Sequence, residues 1–200
     1  MKLPIIILVR HGQTKWNVEG RYQGRLNSDL TEKGKEQAKS NASKIAKIAK
    51  VLKLNEPFKI FSSPLGRAKE SCHIICDELG IDKKEIIFDE RISEFNYGIF
   101  EGQTRDECRE KYPEVLAKRE ANKWSYQIEN GESYILVTKR LKSWLESVAD
   151  EKVVVMVAHE MVNRALRGIY CHLDSDSMLL LRQENDVVIK LENKKESLVQ

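Results

Sequence analysis

The chain has 200 residues, 34 basic and 31 acidic for a net charge of +3, with 41% apolar and 32% charged residues. That length suits one domain with a true hydrophobic core, and the composition is that of an ordinary soluble globular protein. Basic and acidic residues are interspersed, which argues against nucleic acid or a membrane surface as the partner.

Residues 2–9 are an apolar, β-branched run that stops at Arg10-His11-Gly12, predicting a strand buried on both faces that feeds a loop. Over 31–52, Ala38, Ala42, Ile45, Ala49 and Leu52 recur at helical spacing behind Thr31, a natural N-cap. Asn55-Glu56-Pro57 breaks the pattern before a second short strand at 58–61. Ser63-Pro64 then reads as an N-cap with proline in the first turn, opening a helix that stops at Gly80. Ile86–Phe88 is a third short strand, and a glycine-containing loop runs from it through Gly102. Residues 104–124 are polar and partly helical. Gly131-Glu132-Ser133 precedes a helix with Val137, Leu141, Trp144, Leu145 and Val148 on one face. Val153–Ala158 is a second strong buried strand ending at His159, and 161–170 form a helix. Residues 178–182 and 187–191 read as a closing pair of strands, and 192–200 as a polar, frayed tail.

Strands alternating with helices predict an α/β domain over 1–200, a three-layer α/β/α sandwich around a mostly parallel central sheet. No apolar run is long enough to span a bilayer, and Met1 to Pro4 lead into the first strand without a signal-peptide core. A cytoplasmic location follows as the expectation. Cys72 and Cys76 share a helix face, while Cys108 and Cys171 stand alone. No CxxC or Cys/His metal spacing is present, so these read as free thiols.

In such sheets ligands bind outside the carboxyl ends of the strands. Two strands end there in histidine, His11 and His159, and Arg10 precedes the first. Arg67 falls in the first turn of the helix after the second strand, and Asp89, Glu90 and Glu94 follow the third. Two arginines, two histidines and a carboxylate suit phosphoryl transfer. Guanidinium groups grip phosphate oxygens with paired bonds, a helix N-terminus adds a favourable dipole, and nearby cations keep a nucleophilic imidazole neutral. Gly12 is expected to let backbone approach the phosphate.

Arg10-His11-Gly12-Gln13-Thr14 with Trp16-Asn17 resembles the signature of the phosphoglycerate-mutase-like histidine phosphatases, branch 1 of the histidine acid phosphatase superfamily. The likeness continues through Arg21-Tyr22-Gln23-Gly24, Leu30-Thr31-Glu32-Lys33-Gly34 and Ser62-Ser63-Pro64-Leu65-Gly66-Arg67-Ala68. It extends to Glu94, Gly98, Glu101-Gly102, Gly131-Glu132-Ser133 and His159. The resemblance implies phosphate monoester hydrolysis through a phosphohistidine at His11, with Arg10, Arg67 and His159 completing the phosphate pocket. It implies Glu94 as the general acid, although Asp89, Glu90 and Glu101 are carboxylates nearby, and Asn17 and Gln23 as further substrate-binding donors. Neither a metal nor another cofactor is expected. One departure is that Glu160-Met161 follow His159, where the family usually has glycine. That carboxylate would repel phosphate unless it turned away or paired with an arginine such as Arg164.

Two other readings compete. A cofactor-dependent phosphoglycerate mutase tends to carry a longer insertion than this chain has room for, and 97–102 looks more like the phosphatase branch. A non-catalytic phospho-ligand module would tend to lose the nucleophile or the acid, both present here. His73 and His172 match no motif, Arg105 and Arg109 read as solvated helix positions, and Trp16, Trp124 and Trp144 as packing residues. The expected partner is a small phosphate monoester, with the chain acting as a monomer or homodimer. Sugar phosphates, the nucleotide-loop phosphate of cobalamin precursors and phosphorylated side chains all stay open as substrates.

Overall fold

The computed structural model describes residues 3–52 and 58–199. Its centre is a six-stranded sheet in the order β3-β2-β4-β1-β5-β6. The strands are β1 (Ile5–Arg10), β2 (Lys59–Ser62), β3 (Ile86–Phe88), β4 (Val153–Ala158), β5 (Val188–Glu192) and β6 (Lys195–Val199). β1 to β4 run parallel to one another, and β5 and β6 close one side antiparallel. The helices are α1 (Lys15–Glu19), α2 (Glu32–Val51), α3 (Gly66–Leu79), α4 (Arg105–Lys111), α5 (Pro113–Ala121), α6 (Tyr134–Ser147), α7 (Glu160–Tyr170) and α8 (Ser175–Leu180).

The three-layer arrangement follows from strands that are apolar at every position. Side chains alternate across a strand, so continuous burial requires cover on both faces. Ile6, Leu8, Val154, Met156 and Ala158 join one core with Val137, Leu141 and Trp144 of α6 and Val162 and Leu166 of α7. Ile7, Val9, Val153, Val155 and Val157 join the other with Ala38, Ala42 and Ile45 of α2 and Cys72, Ile75 and Cys76 of α3. Trp144 is fully buried, edge-on to Phe61 at 5.6 Å. Thr31 caps α2 by accepting from the Gly34 amide, and Ser133 caps α6 by accepting from the Leu136 amide.

Several expectations change. β1 includes Arg10, and the expected start of its strand at Lys2 lies outside the described residues, as does the Asn55-Glu56-Pro57 break. The N-cap position of α3 is Leu65, not Ser63. The Ser63 hydroxyl instead faces His159, at 2.8 Å. Residues 104–124 resolve into α4 and α5. α1 escaped notice because its N-terminal signal is a capping box between Thr14 and Asn17 on a helix of only five residues.

The larger correction is at the carboxyl end. Of the expected strand at 178–182, residues 178–180 end helix α8, capped by Asp174, with Met178 packed over Gly168, and 181–182 are irregular. A run of apolar residues this short cannot reveal its period without its cap. The expected frayed tail, apart from Gln200, which lies outside the described residues, is a hairpin. β6 pairs along β5 through a turn at Asn193 and Lys194, both with positive φ. Glu196 there holds Arg167 with two bonds of 2.7 Å.

Candidate active site

The parallel register sets Arg10 beside Ala158, so the residues after β1 and β4 leave the sheet at one level. His11 and His159 therefore meet, with ring centroids 5.1 Å apart. Both are buried, and α3 brings the fully buried Arg67 in from β2's end. A cavity of about 210 Å³ opens over them. It is lined by Arg10, His11, Asn17, Gln23, Arg67 and Glu94 together with Tyr22, Tyr97, Glu160 and Met161 among others. His159 is not among the residues lining this cavity.

The hydrogen bonds select one form of His11. Nδ1 lies 2.7 Å from the Gly12 carbonyl, which can only accept, so Nδ1 carries the proton. Nε2 is then a lone-pair atom and accepts from Arg67 Nε at 3.3 Å. Burial, then the charges of Arg67 and Arg10, hold His11 well below the usual histidine range, against a smaller opposing effect of the Gly12 bond. His159 is likewise lowered by burial first and by Arg67 second. Asn185 donates to the His11 carbonyl at 2.6 Å, and Ser71 accepts from the Gly12 amide at 3.0 Å, fixing the loop from two sides.

Arg67 spends three donors on protein: Nε on His11, Nη1 on the Leu26 carbonyl at 2.7 Å and Nη2 on the Gly24 carbonyl at 2.8 Å. A guanidinium has five N–H groups, so two are left for a ligand. Burial pulls it down to about 10, which leaves it charged at neutral pH. Arg10 donates through Nη1 to the Gln183 carbonyl at 2.8 Å, while its buried Nε has no protein partner. Gln23 Oε1 and His159 Nδ1 are also buried without a partner. Asn17 uses Oδ1 as an acceptor for the Thr14 amide and hydroxyl, at 3.0 and 3.1 Å, which leaves its amide nitrogen for the cavity.

Glu94 is buried, and Oε1 accepts from the Phe95 amide at 2.8 Å. Burial raises its carboxyl above the ordinary value, against the lowering pull of Arg67. Its loop is braced by Arg140, which donates to the Arg91 carbonyl at 2.6 Å and pairs with Glu132 at 2.9 Å. The other nearby carboxylates are committed elsewhere. Asp89 pairs with Arg91 at 2.6 Å, Glu90 is exposed beside Arg25, and Glu101 Oε1 accepts from the Arg25 and Tyr97 amides.

Glu160 does what its position demands. It sits at the first position of α7, pairing with Arg164 at 3.0 Å and with Arg10 at 3.1 Å. The expected Arg164 partner is found, and Arg10 is a second one. Gly12 needs a different explanation from phosphate access. A Cβ there would lie 2.1 Å from the Gly34 carbonyl oxygen, so its role is close packing of the loop against the start of α2. Sequence reading missed Ser63, Ser71, Gln183 and Asn185, whose roles depend on contacts between distant segments. Among the described residues, no group of His, Cys, Asp or Glu is arranged to hold a metal, and no helix is long and apolar enough to cross a membrane.

This fold and strand-end histidine pair belong to a known class: the histidine phosphatase superfamily (branch 1), whose profile matches residues 6–199. The chain belongs to that family. Phosphoserine phosphatase 1 of Hydrogenobacter thermophilus is 35% identical over 171 residues, covering 84% of this chain and 75% of that protein. The Escherichia coli protein named probable phosphoglycerate mutase GpmB is 37% identical over 145 residues, covering 72% of this chain and 63% of its own length. The crystal structure of alpha-ribazole phosphatase from Shigella flexneri superposes with a TM-score of 0.78 at 21% identity, covering 97% of this chain and 94% of that one. At that identity the likeness speaks for the fold alone.

Proposed function

We propose that the chain hydrolyses a small phosphate monoester through a phosphohistidine at His11, without metal or other cofactor. The observation that carries this reading is the His11 imidazole itself: held neutral, with Nδ1 tied to the Gly12 carbonyl and Nε2 turned to Arg67. Nε2 attacks phosphorus as the ester P–O bond breaks. Glu94 gives its proton to the departing alkoxide. Water then attacks the phosphohistidine, returning a proton to Glu94 as the N–P bond breaks and inorganic phosphate is released. Arg10 and Arg67 bind the phosphoryl oxygens, where positioned cations stabilise the transition state, and His159, a neutral ring 5.1 Å from that of His11, completes the pocket around the nucleophile. Asn17 and Gln23 bind at the substrate's edge. The reading takes the chain as a single domain acting in the cytoplasm as a monomer or homodimer, without nucleic acid or membrane as partner. The similarity to phosphoserine phosphatase 1 supports hydrolysis of an alkyl ester.

Rapid quenching without acid during turnover of p-nitrophenyl phosphate, in EDTA, is expected to trap phosphate on His11. His11→Ala is expected to lose nearly all turnover while keeping its circular dichroism. Absence of phosphohistidine together with a largely active His11→Ala would remove the proposal. The similarity to GpmB favours a mutase as second reading. It would be adopted if 3-phosphoglycerate, primed with bisphosphoglycerate, were converted efficiently to 2-phosphoglycerate.

A further inference from the structure

Beside the His11 cavity lies a larger one of about 430 Å³. Tyr22, Tyr97, Glu160 and Met161 wall both, so an ester with its phosphate at His11 has room to extend its alcohol side there. The charge around the second cavity is lopsided, with Arg105, Arg119, Lys123, Arg164 and Arg182 against Glu120 and Glu160. Both carboxylates are already taken. Glu120 accepts from Arg105 Nε at 2.8 Å, and Glu160 pairs with Arg164 and Arg10.

Arg119, on α5, has no carboxylate partner among the described residues and, of these cations, is the one buried with unpartnered guanidinium nitrogens. It is 9% exposed, and its Nε and Nη1 are buried with no hydrogen-bond partner. Its guanidinium lies 5.3 Å from the Phe95 ring centre and 5.7 Å from that of Tyr134. Ring faces attract the positive charge, but they leave the N–H groups in the guanidinium plane without acceptors. A buried charge in that state is costly, and packing alone would be served better by an apolar side chain. The rings also clamp the guanidinium in one orientation. A planar fork held this way matches the oxygens of a carboxylate or phosphate.

We propose that Arg119 recognises a second anionic group, a carboxylate or a further phosphate, on the alcohol portion of the substrate. This rests on the reading above that the ester phosphate sits at His11. The substrate class is then a phosphorylated hydroxy acid or a bisphosphate, not a neutral alcohol phosphate.

The test measures dissociation constants by calorimetry on His11→Ala protein for two matched pairs. 3-Phosphoglycerate is compared with glycerol 3-phosphate, which replaces the carboxylate by a hydroxymethyl group. 1,3-Propanediol bisphosphate is compared with propyl phosphate. At least one anionic member is expected to bind about 10- to 100-fold tighter than its neutral mate, the range of a buried charge-assisted hydrogen bond. The pair that shows the preference tells carboxylate from phosphate. Adding Arg119→Met should collapse the preference, and Arg119→Lys should restore part of it. Should Arg119→Met lose its circular dichroism, Arg119→Gln takes its place. Equal affinities within both pairs, or a preference that survives loss of the charge, would overturn the proposal. A His11→Ala protein that still released nitrophenol from p-nitrophenyl phosphate would remove the phosphohistidine and leave this comparison standing.

Discussion

Replacing Glu94 by glutamine tests the proton donor with little disturbance to the fold. The Glu94 oxygen that accepts from the Phe95 amide at 2.8 Å has a counterpart in the glutamine carbonyl, so the loop braced by Arg140 should hold. What disappears is a transferable proton. An alkoxide is a poor leaving group, and a positioned general acid contributes ~10²–10⁴-fold, or about 2.7–5.4 kcal/mol of barrier at 1.36 kcal/mol per tenfold. Nitrophenolate leaves without such help. Glu94→Gln is therefore expected to lower kcat/KM for an alkyl phosphate by about two to four orders of magnitude, and for p-nitrophenyl phosphate by far less. The pH profile carries a second signature. Burial raises the Glu94 carboxyl above its ordinary value of 4.5, so the wild-type alkyl activity should decline on the alkaline side of that raised value. Dividing the wild-type profile by that of Glu94→Gln on the same ester cancels the substrate's own ionisation. No matching acid limb is expected from His11 near 6.5, because its folded value lies well below that. Equal slowing of both esters, or a ratio that does not change with pH, would show that Glu94 is not the donor.

Two further substitutions address the surroundings. Glu160→Gln leaves Arg10 and Arg164 without their carboxylate, and Glu160 is 20% exposed, so the full penalty for breaking a buried pair is discounted. A loss of about 1–3 kcal/mol is expected, seen as a fall in Tm of about 2–4 °C per kcal/mol, together with tighter vanadate inhibition. Unchanged Tm and unchanged inhibition would show that the carboxylate does not restrain Arg10. Gly12→Ala puts a Cβ 2.1 Å from the Gly34 backbone oxygen, which cannot move aside like a flexible side chain. A loss of about 1–3 kcal/mol from overpacking is expected in denaturant titration. A stability equal to wild type would mean that the loop and α2 separate easily.

The sequence by itself determined the layered α/β plan, because short β-branched runs bounded by turn residues and alternating with helix-period segments favour strands covered on both sides. It also located His11, His159, Arg10 and Arg67, since strand ends and the helix starts after them are legible from local pattern. Glu94 was legible only through the family resemblance, because a loop with several carboxylates has no periodicity to rank them. Tertiary contacts that occupy or expose Asp89, Glu90 and Glu101 add support to the proposal of Glu94, which no local pattern could supply. The same holds for Glu160, whose charge looked hostile to phosphate until Arg10 and Arg164 were seen on either side of it. Helix α8 and strand β6 were misread because six- and five-residue elements depend on caps and pairing partners more than on internal period. Arg119 marks the furthest reach of sequence reading. The sequence pattern gives no sign that it is buried, and only the packing of α5 over Phe95 and Tyr134 takes it out of water, because burial depends on what the rest of the chain places above a residue.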